Sequence, residues 1–138
     1  MLKLKYNLPN IASLIFLFFL IFIIVKVLYK GNQLKKYGIV ITGKIVLITK
    51  NNNVKGGGGS SIKYNYSYDN SDYIDFSANS GTLNDYENDF INKFFPVLLN
   101  PKTKESVILI FKDDFEEYNV PFPDSLNWVE DKLKKYLE

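Results

Sequence analysis

Between Ile11 and Val25 the chain reads IASLIFLFFLIFIIV, fifteen residues with nothing more polar than Ser13. No other feature restricts the fold as much. A helix rises about 1.5 Å per residue, so roughly 20 residues cross a hydrocarbon layer about 30 Å thick. Extending the run back to Leu8 and forward through Lys26 to Lys30 gives one transmembrane helix over residues 8–30, preceded by a tail of residues 1–7. Lys26 is tolerated near one end because its stem lets the ammonium snorkel to the headgroups. Tyr6 and Tyr29 fall where interfacial aromatic rings are favoured, and Pro9 suits a first helical turn. The rival reading is a cleaved signal peptide, since Lys3 and Lys5 resemble its basic leader. No small-x-small cleavage site follows, however; the next residues are VKVLYKGNQ. A buried helix of a soluble fold fits poorly, because the side chains are apolar all round the helix for fifteen positions.

Charge is distributed unevenly around this span. Residues 1–63 hold ten lysines and no acid, whereas residues 64–138 hold seven lysines against fifteen acids. Lys26, Lys30, Lys35, Lys36 and Lys44 follow the apolar run and are candidate contacts with an anionic membrane surface. They outnumber Lys3 and Lys5 on the other side, so the positive-inside rule places the larger part of the chain in the cytoplasm. All 17 basic residues are lysine, and asparagine is abundant. That bias looks like codon usage in an AT-rich bacterial genome and speaks only to ancestry; the membrane expected for the span is the bacterial inner membrane.

Past a basic connector, residues 31–37, the periodicity changes. Residues 39–49 (IVITGKIVLIT) are rich in β-branched types and read as a strand pair, or as one long strand bent at Gly43. A polar, glycine-rich loop over 51–61 follows; it lacks the Gly-Lys-Ser/Thr order of a phosphate cradle. Ile62, Tyr64, Tyr66 and Tyr68 alternate with polar residues, Asp69-Asn70-Ser71 supplies a turn, and residues 73–78 alternate again. This predicts a hairpin. Residues 82–88 are read as loop or one helical turn. Pro96 restricts residues 90–99 to an edge strand or a broken one. Residues 106–111 are a short apolar strand, and 113–118 an acidic turn. A helix over 124–138 follows, capped by Asp124 or Ser125, with Leu126, Val129, Leu133 and Tyr136/Leu137 on its apolar stripe and Trp128 beside it. The expected fold is therefore a single N-terminal transmembrane helix plus a small, mainly antiparallel β domain of the α+β class. That domain occupies residues 38–138 and ends in a C-terminal amphipathic helix.

The order of these parts carries a resemblance: an N-terminal span, G-I-V-I-T-G-K-I-V, a glycine-rich loop, the tyrosine strand, then N-P-K-T-K-E-S before an apolar strand. It resembles domain-of-unknown-function family 3592, small bacterial membrane proteins that pair a span with a β-domain. The resemblance covers about four-fifths of the chain and implies no catalytic residue. Many members of that family have a second span after the β-domain; here an amphipathic helix stands in its place.

Composition excludes several chemistries. Histidine, cysteine and arginine are absent, so there is no thiol nucleophile, no Cys-based metal site, no imidazole base and no guanidinium fork for phosphate. Asp69, Asp72 and Asp75 lack the spacing of a calcium loop, and alternation puts Asp72 and Asp75 on opposite strand faces. Tyr64, Tyr66 and Tyr68 are read as the inner face of a sheet, not as a stacking platform for nucleic acid, which the acidic second half would repel. No metal, cofactor or nucleic-acid partner is expected. Asp113, Asp114, Glu116 and Glu117 are candidate acids facing a protein partner. The favoured function is a non-enzymatic, membrane-anchored β-domain that binds another protein, in an envelope complex or as an immunity-type partner. The alternative is a membrane-surface sensor of small ligands, or an enzyme that uses carboxylates.

Overall fold

The computed structural model describes residues 8–50, 59–79, 83 and 87–134. The N-terminal tail, most of the glycine-rich loop and the last turn of the expected terminal helix, with Tyr136 and Leu137, lie outside the described residues. The chain divides into two compact units, Met1–Gln33 and Leu34–Glu138.

Helix α1 runs from Leu8 to Tyr37. Its apolar side chains from Leu14 to Tyr29 are exposed, and it is the one helix among the described residues long and apolar enough to cross a membrane. Thirty residues correspond to about 45 Å, which is more than a hydrocarbon core requires. Residues 31–37, expected as a connector, are the last two turns of this helix, and Gly31 does not break it. Lys35 and Lys36 in its last turn oppose the negative end of the helix dipole. The helix stops at Gly38, whose N–H donates to the Leu34 carbonyl at 2.8 Å. A Cβ there would lie 2.4 Å from that same carbonyl oxygen and 2.7 Å from Leu98 Cδ1, so only glycine fits.

The second unit is built on five antiparallel strands: β1 (Ile39–Lys50), β2 (Ser60–Tyr68), β3 (Ser71–Asn79), β4 (Phe94–Leu99) and β5 (Ser106–Ile108), in the order β3-β2-β1-β4-β5. Residues 39–49 are thus one strand, not a pair. Its irregularity lies between Ile45 and Leu47, not at Gly43. The extra residue there rephases the strand, so that both Ile45 and Ile48 are buried. Gly43 serves a different end, because a Cβ on it would lie 2.5 Å from Val97 Cγ2. The β2–β3 hairpin turns on Asp69 and Asn70, both with positive φ (52° and 55°) and flanked by the pair Tyr68↔Ser71. Such a two-residue turn matches strand twist and fixes the register.

Pro96 is not on an edge strand. Its carbonyl accepts from Leu109 N–H at 2.9 Å, so its missing N–H is on the β5 side, just past Val97↔Ile108, where that short ladder ends. The reciprocal bond to the Leu109 carbonyl cannot form, and the ladder stops there.

The inner face of the sheet holds Ile45, Ile48, Ile62, Tyr64, Tyr66, Phe95, Val97 and Leu99. Leu83 and Phe90, the latter in the short helix α2 (Glu87–Phe90), belong to the same core. The segment read as an acidic turn is a helix, α3 (Lys112–Glu117), anchored by buried Phe115. A 3₁₀ turn (Asp124–Leu126) that buries Leu126 leads into α4 (Asn127–Lys134), which buries Val129, so the first two residues of the expected stripe are in the core. Trp128 is half-buried against Phe90 and Phe95, with ring centroids 5.2 and 6.2 Å away, and Lys93 Nζ lies 4.1 Å above its ring. The unit is an α+β domain in which a curled antiparallel sheet wraps one apolar core.

Candidate functional site

The predicted surface lysines are divided between the two units. Lys26 and Lys30 are exposed in the first unit, with Lys26 Nζ 5.1 Å from the Phe22 ring. Lys35 and Lys36 belong to the second unit, where Lys36 Nζ lies 5.2 Å from the Tyr37 ring. Lys44 is on β1, with its Nζ 5.9 Å from the Phe94 ring.

The four candidate acids separate as well. Asp113, Glu116 and Glu117 are exposed on α3, and Lys112 lies 3.9 Å from Glu116. Asp114 turns inward. Its Oδ2 accepts the Ile110 and Phe111 N–H groups at 3.0 and 2.8 Å, which satisfies donors that open the helix.

A second polar group lies on the inner face. Ser106 Oγ donates to Asp75 Oδ2 at 2.5 Å, and Tyr64 Oη stands 2.9 Å from Ser106 Oγ. Asp75 can only accept, so the Tyr64 hydroxyl must donate to Ser106. Burial pushes the Tyr64 pKa up from its ordinary value, the Ser106 bond lowers it in part, and the Asp75 charge raises it further. Tyr66 and Tyr73 continue this row as a stack 5.3 Å between centroids. Lys104 Nζ closes its end, 4.4 Å from the Tyr68 ring. The N-P-K-T-K-E-S turn brings Lys104 there: buried Asn100 accepts the Lys102 and Thr103 N–H groups through Oδ1, and Lys104 takes a positive φ of 62°. With Tyr64 and Ser106 both buried, this network is a clamp within the core. The carboxylates flanking the hairpin do separate: Asp75 faces inward, and Asp72 lies with exposed Ile74 on the outer face.

That outer face is the surface the sequence did not reveal. Val40, Leu47, Ile74, Phe76 and Phe94 project from it, 48 to 66% exposed. The ladder sets them in rows across the strands. Leu47, Lys63 and Phe76 are cross-strand neighbours, as are Phe94, Lys44, Asn65 and Ile74. In the next row come Pro96, Thr42, Ser67 and Asp72, where Ser67 Oγ donates to Asp72 Oδ1 at 2.5 Å. A concavity of about 370 Å³ opens over the last two rows, lined by Thr42, Lys44, Asn65, Asp72, Ile74 and Phe94 among others. Among the described residues, neither Lys44 nor Lys63 pairs with a carboxylate; Lys63 Nζ lies 5.8 Å from the Phe76 ring. Sequence reading missed this face because the alternation of residues 73–78 puts apolar Ile74 and Phe76 opposite polar Asp75 and Ser77. The pattern shows that two faces differ without showing which one is buried.

Comparison of the chain with protein families, with curated proteins and with solved structures finds no match.

Proposed function

We propose that this protein is a single-pass, non-enzymatic component of the bacterial inner membrane whose β-domain binds another protein, in an envelope complex or as an immunity-type partner. The observation that carries the reading is the outer sheet face. Five large apolar side chains stand in solvent on one surface, although the domain has a filled core on the opposite face. Large apolar side chains left in solvent on one face, here interleaved with lysine and asparagine, favour an interaction surface. The uncleaved helix 8–30 would hold that surface at the membrane, and the lysines after it favour a cytoplasmic domain. The architecture is of the kind that the resemblance to domain-of-unknown-function family 3592 implies.

The test is crosslinking in living cells from photoreactive side chains placed on the outer face of the full-length chain. A discrete protein adduct, lost on Phe94→Asp and Leu47→Asp while the domain stays folded, is the expected result. No protein adduct from any outer-face position would end this reading.

A further inference from the structure

Resting on the protein-partner reading, we infer that the outer face of the sheet receives a partner segment in which a carboxylate sits beside a bulky apolar side chain. Lys44 and Lys63 are set into apolar surroundings in the same way. Lys63 lies between Leu47 and Phe76, and Lys44 lies beside Phe94 with Ile74 one strand beyond Asn65. Each ammonium rests near an aromatic ring, at 5.9 Å for Lys44 and 5.8 Å for Lys63. Neither is neutralised by a carboxylate among the described residues. A partner covering this face without supplying negative charge would desolvate two cations and leave them unpaired, a large cost. A carboxylate placed between them removes that cost and fixes the register of the contact.

The one acid in these three rows restricts the pose. Asp72 lies in the far row, held by Ser67, so charge changes sign across the face from the Lys63 row to the Asp72 row. An acidic partner group is therefore repelled from the Asp72 end and drawn to the Lys44–Lys63 end. The concavity lined by Ile74 and Phe94 is left for the apolar side chain, with Thr42 and Asn65 also in its lining. Its volume, about 370 Å³, is on the scale of pockets that accept large side chains and small ligands. A bilayer surface, flat on this scale, would meet only the rim of such a hollow. A projecting side chain fills it.

The experiment places photoreactive benzoylphenylalanine at Ile74 and, in a second preparation, at Glu117 on α3. Both are made in the full-length chain in host membranes, and the crosslinked peptide is sequenced. From position 74 the expected adduct is a peptide of another protein with Asp or Glu within a few residues of the crosslinked apolar side chain. Lys44→Glu and Lys63→Glu should each lower its yield at least about tenfold, with unchanged thermal melts. A matching acid-to-lysine change in the partner should restore it. A position-74 peptide with no carboxylate, or a yield unaffected by either lysine reversal, overturns the inference and leaves the protein-partner reading intact. The same holds for a protein adduct from position 117 alone. Only lipid adducts, only peptides of this chain itself, or no adduct from either position overturns both.

Discussion

Ser106 Oγ donates to Asp75 Oδ2 at 2.5 Å and so joins β5 to β3, the two strands at opposite edges of the sheet. The sheet curls far enough for its first and last strands to meet, and a side-chain bond, not a backbone ladder, links them there. Asp75 also accepts the Phe76 N–H through Oδ1 at 2.8 Å, which occupies a backbone donor on an edge strand. An inward-pointing charge on an edge strand hinders pairing with another chain. Tyr64 completes the link by donating to the Ser106 hydroxyl.

Removing the middle of this chain of bonds should cost more than removing its end. Ser106→Ala leaves the buried Tyr64 hydroxyl without its acceptor, a loss of about 1–3 kcal/mol. Tyr64→Phe leaves Ser106 still bonded to Asp75 and should cost about 0.5–1.5 kcal/mol. Denaturant midpoints of the two variants check the order, and a Tyr64→Phe penalty above that of Ser106→Ala would contradict the geometry.

High pH should unfold the domain through its tyrosines. Burial is the largest cause raising Tyr64, Tyr66 and Tyr118 above the ordinary phenol value. The folded chain thus keeps protons that the unfolded chain has lost. Stability is complete below pH about 10 and declines above it, by up to about 1.4 kcal/mol per pH unit for each tyrosine still protonated. Phenolate absorbance should rise in two stages, the second coinciding with loss of structure. All ten tyrosines titrating together in a chain that stays folded would refute this.

Gly31 and Gly43 should respond oppositely to alanine. At Gly43 the added Cβ meets Val97 Cγ2 at 2.5 Å, and the strain should cost about 1–3 kcal/mol. Val97→Ala should relieve part of it, making the double variant more stable than the two single losses summed. At Gly31 a Cβ meets nothing within 4 Å, so alanine should leave the helix unchanged or favour it by up to about 1 kcal/mol. Thermal melts of the variants distinguish the two cases.

The full chain should stay with the membrane through an alkaline carbonate wash, while residues 34–138 alone should be released and melt cooperatively. The first expectation rests on the length of the apolar run, and the second on a core assembled within one unit. Full-length protein in the wash supernatant, or a fragment without a cooperative transition, would count against the respective claim.

Local chemistry settled much of this protein in advance. The run from Ile11 to Val25 is apolar on every side, which admits a long exposed helix whatever follows it. Asp69-Asn70 fixes a two-residue hairpin, because few other residues adopt the positive φ that the turn demands. The alternation from Ile62 to Tyr68 then places Tyr64 and Tyr66 in the core, and Leu126 and Val129 bury as their helical spacing requires. Tertiary contact decided the rest. The register of the hairpin pairs Asp75 with buried Tyr64, which turns Ile74 and Phe76 out into solvent, and only Ser106, thirty-one residues away in sequence, supplies the donor that satisfies the inward carboxylate. Pro96 is accommodated in β4 because β5 ends where the missing N–H would point, a length no local pattern encodes. The acidic stretch after Phe111 becomes a helix because Phe115 finds the core and Asp114 finds two backbone donors. Periodicity reports that two faces differ; which face is buried depends on partners brought from elsewhere in the chain.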